Sequence, residues 1–211
     1  MATLTAHAPA PVPDTVSLPI LRKAAEHCKA CELFAHATQV VFGEGKAHAP
    51  VVFVGEQPGD AEDRAGRPFV GPAGKLWDVA LEEAGIDRAS VYVTNAVKHF
   101  YFEERGKRRL HKTPRAAHIS ACKPWLEAEF EAVKPRVIVA LGATAAVAVT
   151  GRKVAVQQER GRFRPHPSGA EFLITVHPSF LLRIPEPEQK EEEYKRFVGD
   201  LKQVAARLRR G

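Results

Sequence analysis

A chain of 211 residues with 45% hydrophobic side chains is long enough to bury one full α/β core, and 31 Lys and Arg against 25 Asp and Glu give it a formal charge of +6. That excess favours a polyanionic partner over an acidic small molecule. No run approaches the roughly 18 apolar residues of a membrane helix, and residues 1–16 lack the basic start and apolar centre of a secretory signal, so a cytoplasmic protein without membrane contact is expected.

The leader ATLTAHAPAPVPD is rich in Ala and Pro and has no helical or strand period, so residues 1–16 are expected to be disordered, ahead of one domain over 17–211. Over 18–30 apolar residues recur at helical spacing (Ile20, Leu21, Ala24, Ala25), which places Cys28 and Cys31 at the C-terminal end of a short helix. Four short apolar runs, 51–55, 91–95, 137–141 and 172–176, read as buried strands. Helical patterns over 74–84, 115–133 and 143–149 alternate with them, and a charged amphipathic helix over 188–210 ends the chain. The alternation predicts a three-layer α/β/α sandwich with a central four-stranded, mainly parallel sheet. Open sheets of this kind bind ligands at the C-terminal ends of their strands. There the sequence reads GEQPGD, NAVKH, GATA and HPS in turn.

The first of these, from Gly55 to Asp60, sets two glycines and a proline beside Glu56 and Gln57, so the backbone can approach a ligand closely. It matches neither a Walker loop nor a dinucleotide fingerprint, and a plain tight turn is the other reading. The Gly/Pro loop over 66–74, GRPFVGPAG, holds a single aromatic, Phe69, which serves either the core or as a stacking surface for a base. The run KRRLHK over 107–112 reads by itself as a solvated loop or a phosphate contact. Three cysteines, Cys28, Cys31 and Cys122, are an odd number and include a C-x-x-C pair, so metal or redox chemistry is a better expectation than disulfides. They are one thiolate short of the usual ligand set of an iron-sulfur cluster, and His99 offers a fourth donor. Residue types alone leave a zinc site with three cysteines and one histidine equally open.

Taken in order, GEQPG, GRPFVGPAG, TNAVK, LGATA and VHPS resemble the iron-sulfur branch of the uracil-DNA glycosylase superfamily, with the similarity running over 28–182. The segment over 105–114 looks like the basic loop of the UdgX type within that branch, which bonds covalently to uracil-containing DNA. Leu110 stands where that pattern has Ile, a change that conserves volume and polarity. The resemblance implies a [4Fe-4S] cluster, in preference to zinc, on Cys28, Cys31, His99 and Cys122. It gives the cluster a structural task, tying the N-terminal helix to the loop that carries His111.

On the same resemblance the partner is uracil-containing DNA, single-stranded or with the uracil flipped out, because the sugar carbon is shielded inside a duplex; the chain is expected to act as a monomer. Phe69 is expected to stack on the uracil beside Gly55, and the Asn95 amide to donate to O4 and accept from N3–H, a pattern reversed in cytosine. His177, helped by a backbone amide near Gln57, meets the charge that grows on O2, and Glu56 the opposite charge on the sugar. His111 is expected to attack the sugar carbon and to pass its proton to Glu56. Lys107, Arg108, Arg109 and Lys112 are expected to keep that ring neutral by like-charge repulsion and to hold the flanking phosphates. Such an enzyme is consumed in a single turnover. Two other readings share the sequence: a conventional iron-sulfur glycosylase that turns over and leaves a free abasic site, and a non-catalytic binder of single-stranded DNA. A Rossmann-type nucleotide enzyme is disfavoured, since no strand is followed by G-x-G-x-x-G.

Overall fold

The four apolar runs become the parallel centre of one sheet, because strands apolar on both faces need helices on both sides. The structure, a computed structural model, describes residues 10–210. Helix α1 (Leu18–Ala25) is followed by the two-residue β1 (Glu44–Gly45) and by β2 (Val51–Gly55). Next come α2 (Asp60–Ala65), α3 (Pro72–Ala84) and β3 (Tyr92–Asn95). A separate hairpin, β4 (Phe102–Arg105) and β5 (Arg108–His111), precedes α4 (Ala116–Val133). Then follow β6 (Val137–Leu141), α5 (Ala143–Thr150), α6 (Val156–Glu159), β7 (Arg164–Pro165) and β8 (Glu171–Thr175). Helices α7 (Pro178–Leu182) and α8 (Pro187–Arg209) complete the described chain, in which no helix is long and apolar enough to cross a membrane.

The sheet runs in the order β1-β3-β2-β6-β8-β7. Its four central strands are parallel, as expected, and β1 and β7 add antiparallel edges too short to leave a periodic signal in the sequence. Alternate residues of β2 face opposite sides. Val51 and Phe53 pack against Trp77 and Leu81 of α3 and Phe197 and Leu201 of α8, while Val52 and Val54 pack against Leu126 and Phe130 of α4 and Ala145 of α5. The chain leaves β2 toward β3 on one side and later returns to β6 on the other, so the crevice between β2 and β6 is the switch point where such sheets open to ligands.

Two expectations are revised. Helix α1 stops at Ala25, so Cys28 and Cys31 lie beyond its end, the second just before a single 3-10 turn over Glu32–Ala35. Leaving the helix turns both thiols inward, Cys28 toward Trp125. The basic loop is a β-hairpin, with Arg105 opposite Arg108 and Gly106 at φ 60 in the first central position, as a type II′ turn requires. Of the leader, residues 1–9 lie outside the described residues; the rest forms no helix or strand, with Ala10 and Val12 packed against the cluster of Leu21, Phe42 and Trp125.

A buried ion pair joins the sheet to α4. Lys98 Nζ donates to Glu129 Oε2 (2.5 Å), Thr94 Oγ1 (2.7 Å) and the Asn95 carbonyl (2.8 Å). Glu129 Oε1 accepts from the Tyr92 hydroxyl (2.9 Å) and the Gly43 amide (3.0 Å). Every charge here is hydrogen-bonded, and removing one partner strands the other away from water. Glu129→Ala is therefore expected to destabilise the protein by about 3–5 kcal/mol in urea unfolding. The double variant Lys98→Met/Glu129→Leu should recover most of that loss, and a double variant as unstable as the single one would contradict the pairing.

Candidate active site

The floor of the site forms where β2 and β3 end side by side, with Gly55 in register with Asn95. A Cβ on Gly55 would lie 2.3 Å from Asn95 Oδ1 and 2.8 Å from the Phe69 ring, so only glycine lets these two groups meet over the strand end. Phe69 itself sits at φ 58, a left-handed conformation that is strained for an aromatic residue. Trp77 at 5.0 Å and His177 at 5.9 Å hold its ring. Glu62 binds the two loops together, accepting from the Gly59 amide (3.1 Å) and the Gly71 amide (2.7 Å). Asn95 is largely buried, and its amide, which makes no hydrogen bond among the described residues, opens onto the cavity. These groups line a cavity of about 1120 Å³ together with Glu56, His111 and His177.

His177 caps the start of α7, and its Nδ1 accepts the Ser179 backbone amide at 3.1 Å. A neutral ring held this way carries its proton on Nε2 and presents it as a donor. Burial, with help from His111 and Arg183, brings its pKa down to about 4, so the ring is neutral at physiological pH. His111 ends β5 with Nε2 3.4 Å from Glu56 Oε1. Its pKa also lies below the ordinary value: burial lowers it, Glu56 opposes, and Arg183 lowers it further. The hairpin's own cations, expected to act here, are not among the causes. Glu56 is held from the far side, where Thr144 Oγ1 donates to Oε2 at 2.5 Å.

Where those cations go explains the difference. Arg109 donates from Nε to Asp60 (2.5 Å) and from Nη1 to Asp63 (2.6 Å) and Thr38 Oγ1 (3.1 Å). Its guanidinium lies 5.0 Å from the Phe102 ring centroid and 5.5 Å from that of Phe100. It is thus a clamp beneath the hairpin rather than a solvent-facing cation. Lys112 pairs with Glu103 at 3.0 Å. Lys107 and Arg108 are exposed near the hairpin tip, and among the described residues neither is in an ion pair. Gln57 fastens the base of the hairpin: Nε2 donates to the carbonyls of Tyr101 (3.1 Å) and Lys112 (3.0 Å), and Oε1 accepts the Tyr101 amide (3.0 Å). With its side chain so engaged, any part Gln57 has toward a ligand falls to its backbone. Thr144, Arg183 and Asp63 were not singled out from the sequence. Only the position of Thr144 in GATA, at a strand end, carried a signal.

Cys28, Cys31, Cys122 and His99 are all buried. Trp125 Nε1 donates to Cys28 Sγ at 3.2 Å, and the backbones of Leu33 and Lys98 hydrogen-bond to the Cys31 and Cys122 thiols. The thiols are close enough that each would repel another's negative charge, and burial pushes Cys122 up to about 12. Burial holds His99 down at about 4, a neutral imidazole able to act as a ligand. Its charged neighbour is Asp63. Among the described residues no three His, Cys, Asp or Glu side chains close tightly enough to hold a metal ion as they stand. The donor chemistry nevertheless fits: three soft sulfurs that accept N–H bonds, one neutral imidazole, and apolar surroundings.

Removing the clamp should loosen the hairpin without unfolding the sheet. Arg109→Ala is expected to speed amide hydrogen exchange across residues 102–111 by about tenfold or more, while β2 and β6 stay protected. Unchanged exchange in the hairpin would show that Gln57 alone holds it.

Residues 42–202 match the family profile of the uracil DNA glycosylase superfamily. Over 180 residues the chain is 41% identical to the type-4 uracil-DNA glycosylase of Thermotoga maritima, covering 85% of this chain and 88% of that protein. Over 172 residues it is 36% identical to the type-4 uracil-DNA glycosylase of Pyrobaculum aerophilum, covering 78% and 84%. The matched span takes in the whole sheet and the cavity at its C-terminal edge, and on that ground the chain belongs to the uracil-DNA glycosylase superfamily.

Proposed function

We propose that this protein excises uracil from DNA and is then captured on its product through His111. Excision follows from the family and from relatives that are themselves named uracil-DNA glycosylases. Capture is carried by one observation: a histidine with a lowered pKa stands 3.4 Å from a carboxylate in the cavity floored by Phe69 and Asn95.

A uracil in a single strand, or flipped from a duplex, enters the cavity. Phe69 stacks on its face. The unpaired Asn95 amide donates to O4 and accepts from N3–H, which cytosine cannot match. As the bond between the sugar C1′ and the base breaks, its electron pair passes to uracil, and His177 Nε2–H donates to O2, with the Gln57 backbone amide as a second donor. Glu56 balances the positive charge left on the sugar. A nitrogen of the neutral His111 ring bonds to C1′, and the ring's remaining N–H proton passes to Glu56. Uracil leaves, and the chain stays joined to the DNA after one turnover, acting as a cytoplasmic monomer. Lys107 and Arg108 at the hairpin tip meet flanking phosphates. Cys28, Cys31, Cys122 and His99 would hold a [4Fe-4S] cluster, which when bound supplies a structural cross-link; zinc is the other metal such a set accepts.

With a uracil-containing oligonucleotide, the wild-type protein is expected to give a shifted band on a denaturing gel, and His111→Ala none. The names of the relatives favour a conventional enzyme that hydrolyses instead. Many turnovers leaving free abasic DNA would establish that reading and end the capture one.

The pH dependence has a definite sign. Only the neutral ring attacks, and burial and Arg183 lower its pKa from the usual 6.5 while Glu56 opposes, with His177 also facing it. The capture rate should therefore be level at neutral and alkaline pH and fall through an inflection below pH 6.5. Arg183→Gln should move that inflection upward. An inflection above 6.5 in the wild type would contradict the assigned environment.

A further inference from the structure

We propose that Thr144 is a positioning residue for capture, its hydroxyl holding one oxygen of Glu56 so that the other faces His111. The inference rests on the capture reading. Thr144 Oγ1 donates to Glu56 Oε2 at 2.5 Å, and Glu56 Oε1 lies 3.4 Å from His111 Nε2. The carboxylate thus bridges two elements, the start of α5 and the end of the hairpin.

The two anchors differ in stiffness. Thr144 is buried near the N-terminus of α5, just past Gly142, where the chain is pinned to β8 by the Gly142 amide donating to the Thr175 carbonyl at 2.8 Å. A Cβ on Gly142, whose φ is 89, would come within 3.1 Å of the His177 Cβ, so this loop also rests against the second histidine. Glu56, by contrast, extends from the end of β2 into a cavity of about 1120 Å³, where a side chain with several free torsions has room to turn away. Among the described residues the Thr144 hydroxyl is the single hydrogen-bond donor to its side chain. The start of a helix also favours a carboxylate beside it. Because β2 and β6 are adjacent parallel strands, Glu56, next after β2, meets Thr144, in the first turn of the helix that follows β6, across the switch-point crevice. The GATA segment thereby has a part in the site that its backbone alone does not explain.

In this role Thr144 acts on the reaction through Glu56, the group its hydroxyl holds. The test compares the wild type, Thr144→Val, Thr144→Ala, Thr144→Ser and His111→Ala on one labelled uracil oligonucleotide under single-turnover conditions. Adduct and free abasic DNA are measured in the same reaction, and each variant's thermal unfolding is recorded. Val keeps the shape and removes the donor, whereas Ser keeps the donor. The expected result is adduct formation slowed by about tenfold or more in Thr144→Val and Thr144→Ala, with a larger share of cleaved product left as free abasic DNA. Thr144→Ser should restore wild-type rate and partition, which a purely structural role would not predict. Val and Ala variants that capture as fast as wild type, or a Ser variant as slow as Val, would overturn the inference while leaving capture intact. If Val does not fold, the Ala and Ser pair decides the question. Absence of any adduct with the wild-type protein would instead remove the capture reading itself.

Discussion

Arg109 places its guanidinium between Asp60 and Asp63, and His111, two residues further along β5, faces the cavity as a result. The hairpin pairs with no strand of the main sheet, and a lone two-stranded hairpin is marginal in water. Side chains alternate along a strand, so Arg109 and His111 share the inward face while Leu110 between them points to solvent. Fixing Arg109 thus fixes which face of the hairpin meets the site, and a slip of one residue would turn His111 outward. Asp63 is fully buried and also accepts the Thr38 amide, so the same carboxylate ties the hairpin to the segment that follows the C-x-x-C pair.

On that frame the site gathers two histidines with the carboxylate of Glu56 and the guanidinium of Arg183. His177 and His111 both have lowered pKa values, chiefly because the cavity withdraws them from water. Under the capture proposal, a neutral imidazole would serve as donor at His177 and as nucleophile at His111. Glu56 sits between the hairpin and α5, and Arg183 at the start of the final connection biases both histidines toward the neutral form. The result is a pocket at the C-terminal edge of a parallel sheet, where several strand ends each contribute a side chain from a different part of the chain.

Much of the fold was legible in the sequence because it follows from local pattern. The strands over 51–55 and 137–141 have the bounds that their apolar runs imply, and the helix over 115–133 differs by one residue at its start. Phe69, Asn95, Glu56, His111 and His177, chosen from separate motifs, do line one cavity. The hairpin was not legible, since Phe-Glu-Glu-Arg and Arg-Arg-Leu-His lack the alternation that marks a half-buried strand. Nor was the early end of α1, because helical spacing continues weakly past Ala25 while the thiols are drawn inward by burial.

The sheet, its helices and the chemical types gathered at its edge are written in local pattern, because periodicity and turn chemistry are properties of neighbouring residues. What each charge does is settled by folding. Arg109 and Lys112 look alike in a basic run, yet one is clamped by carboxylates that lie 46 and 49 residues away and the other pairs with Glu103 across the hairpin. The pKa of His111 is lowered by burial and Arg183, against Glu56, and not by the cations beside it in the chain. Desolvation and ion pairing depend on distances through space, and the sequence holds no record of those until the chain has folded.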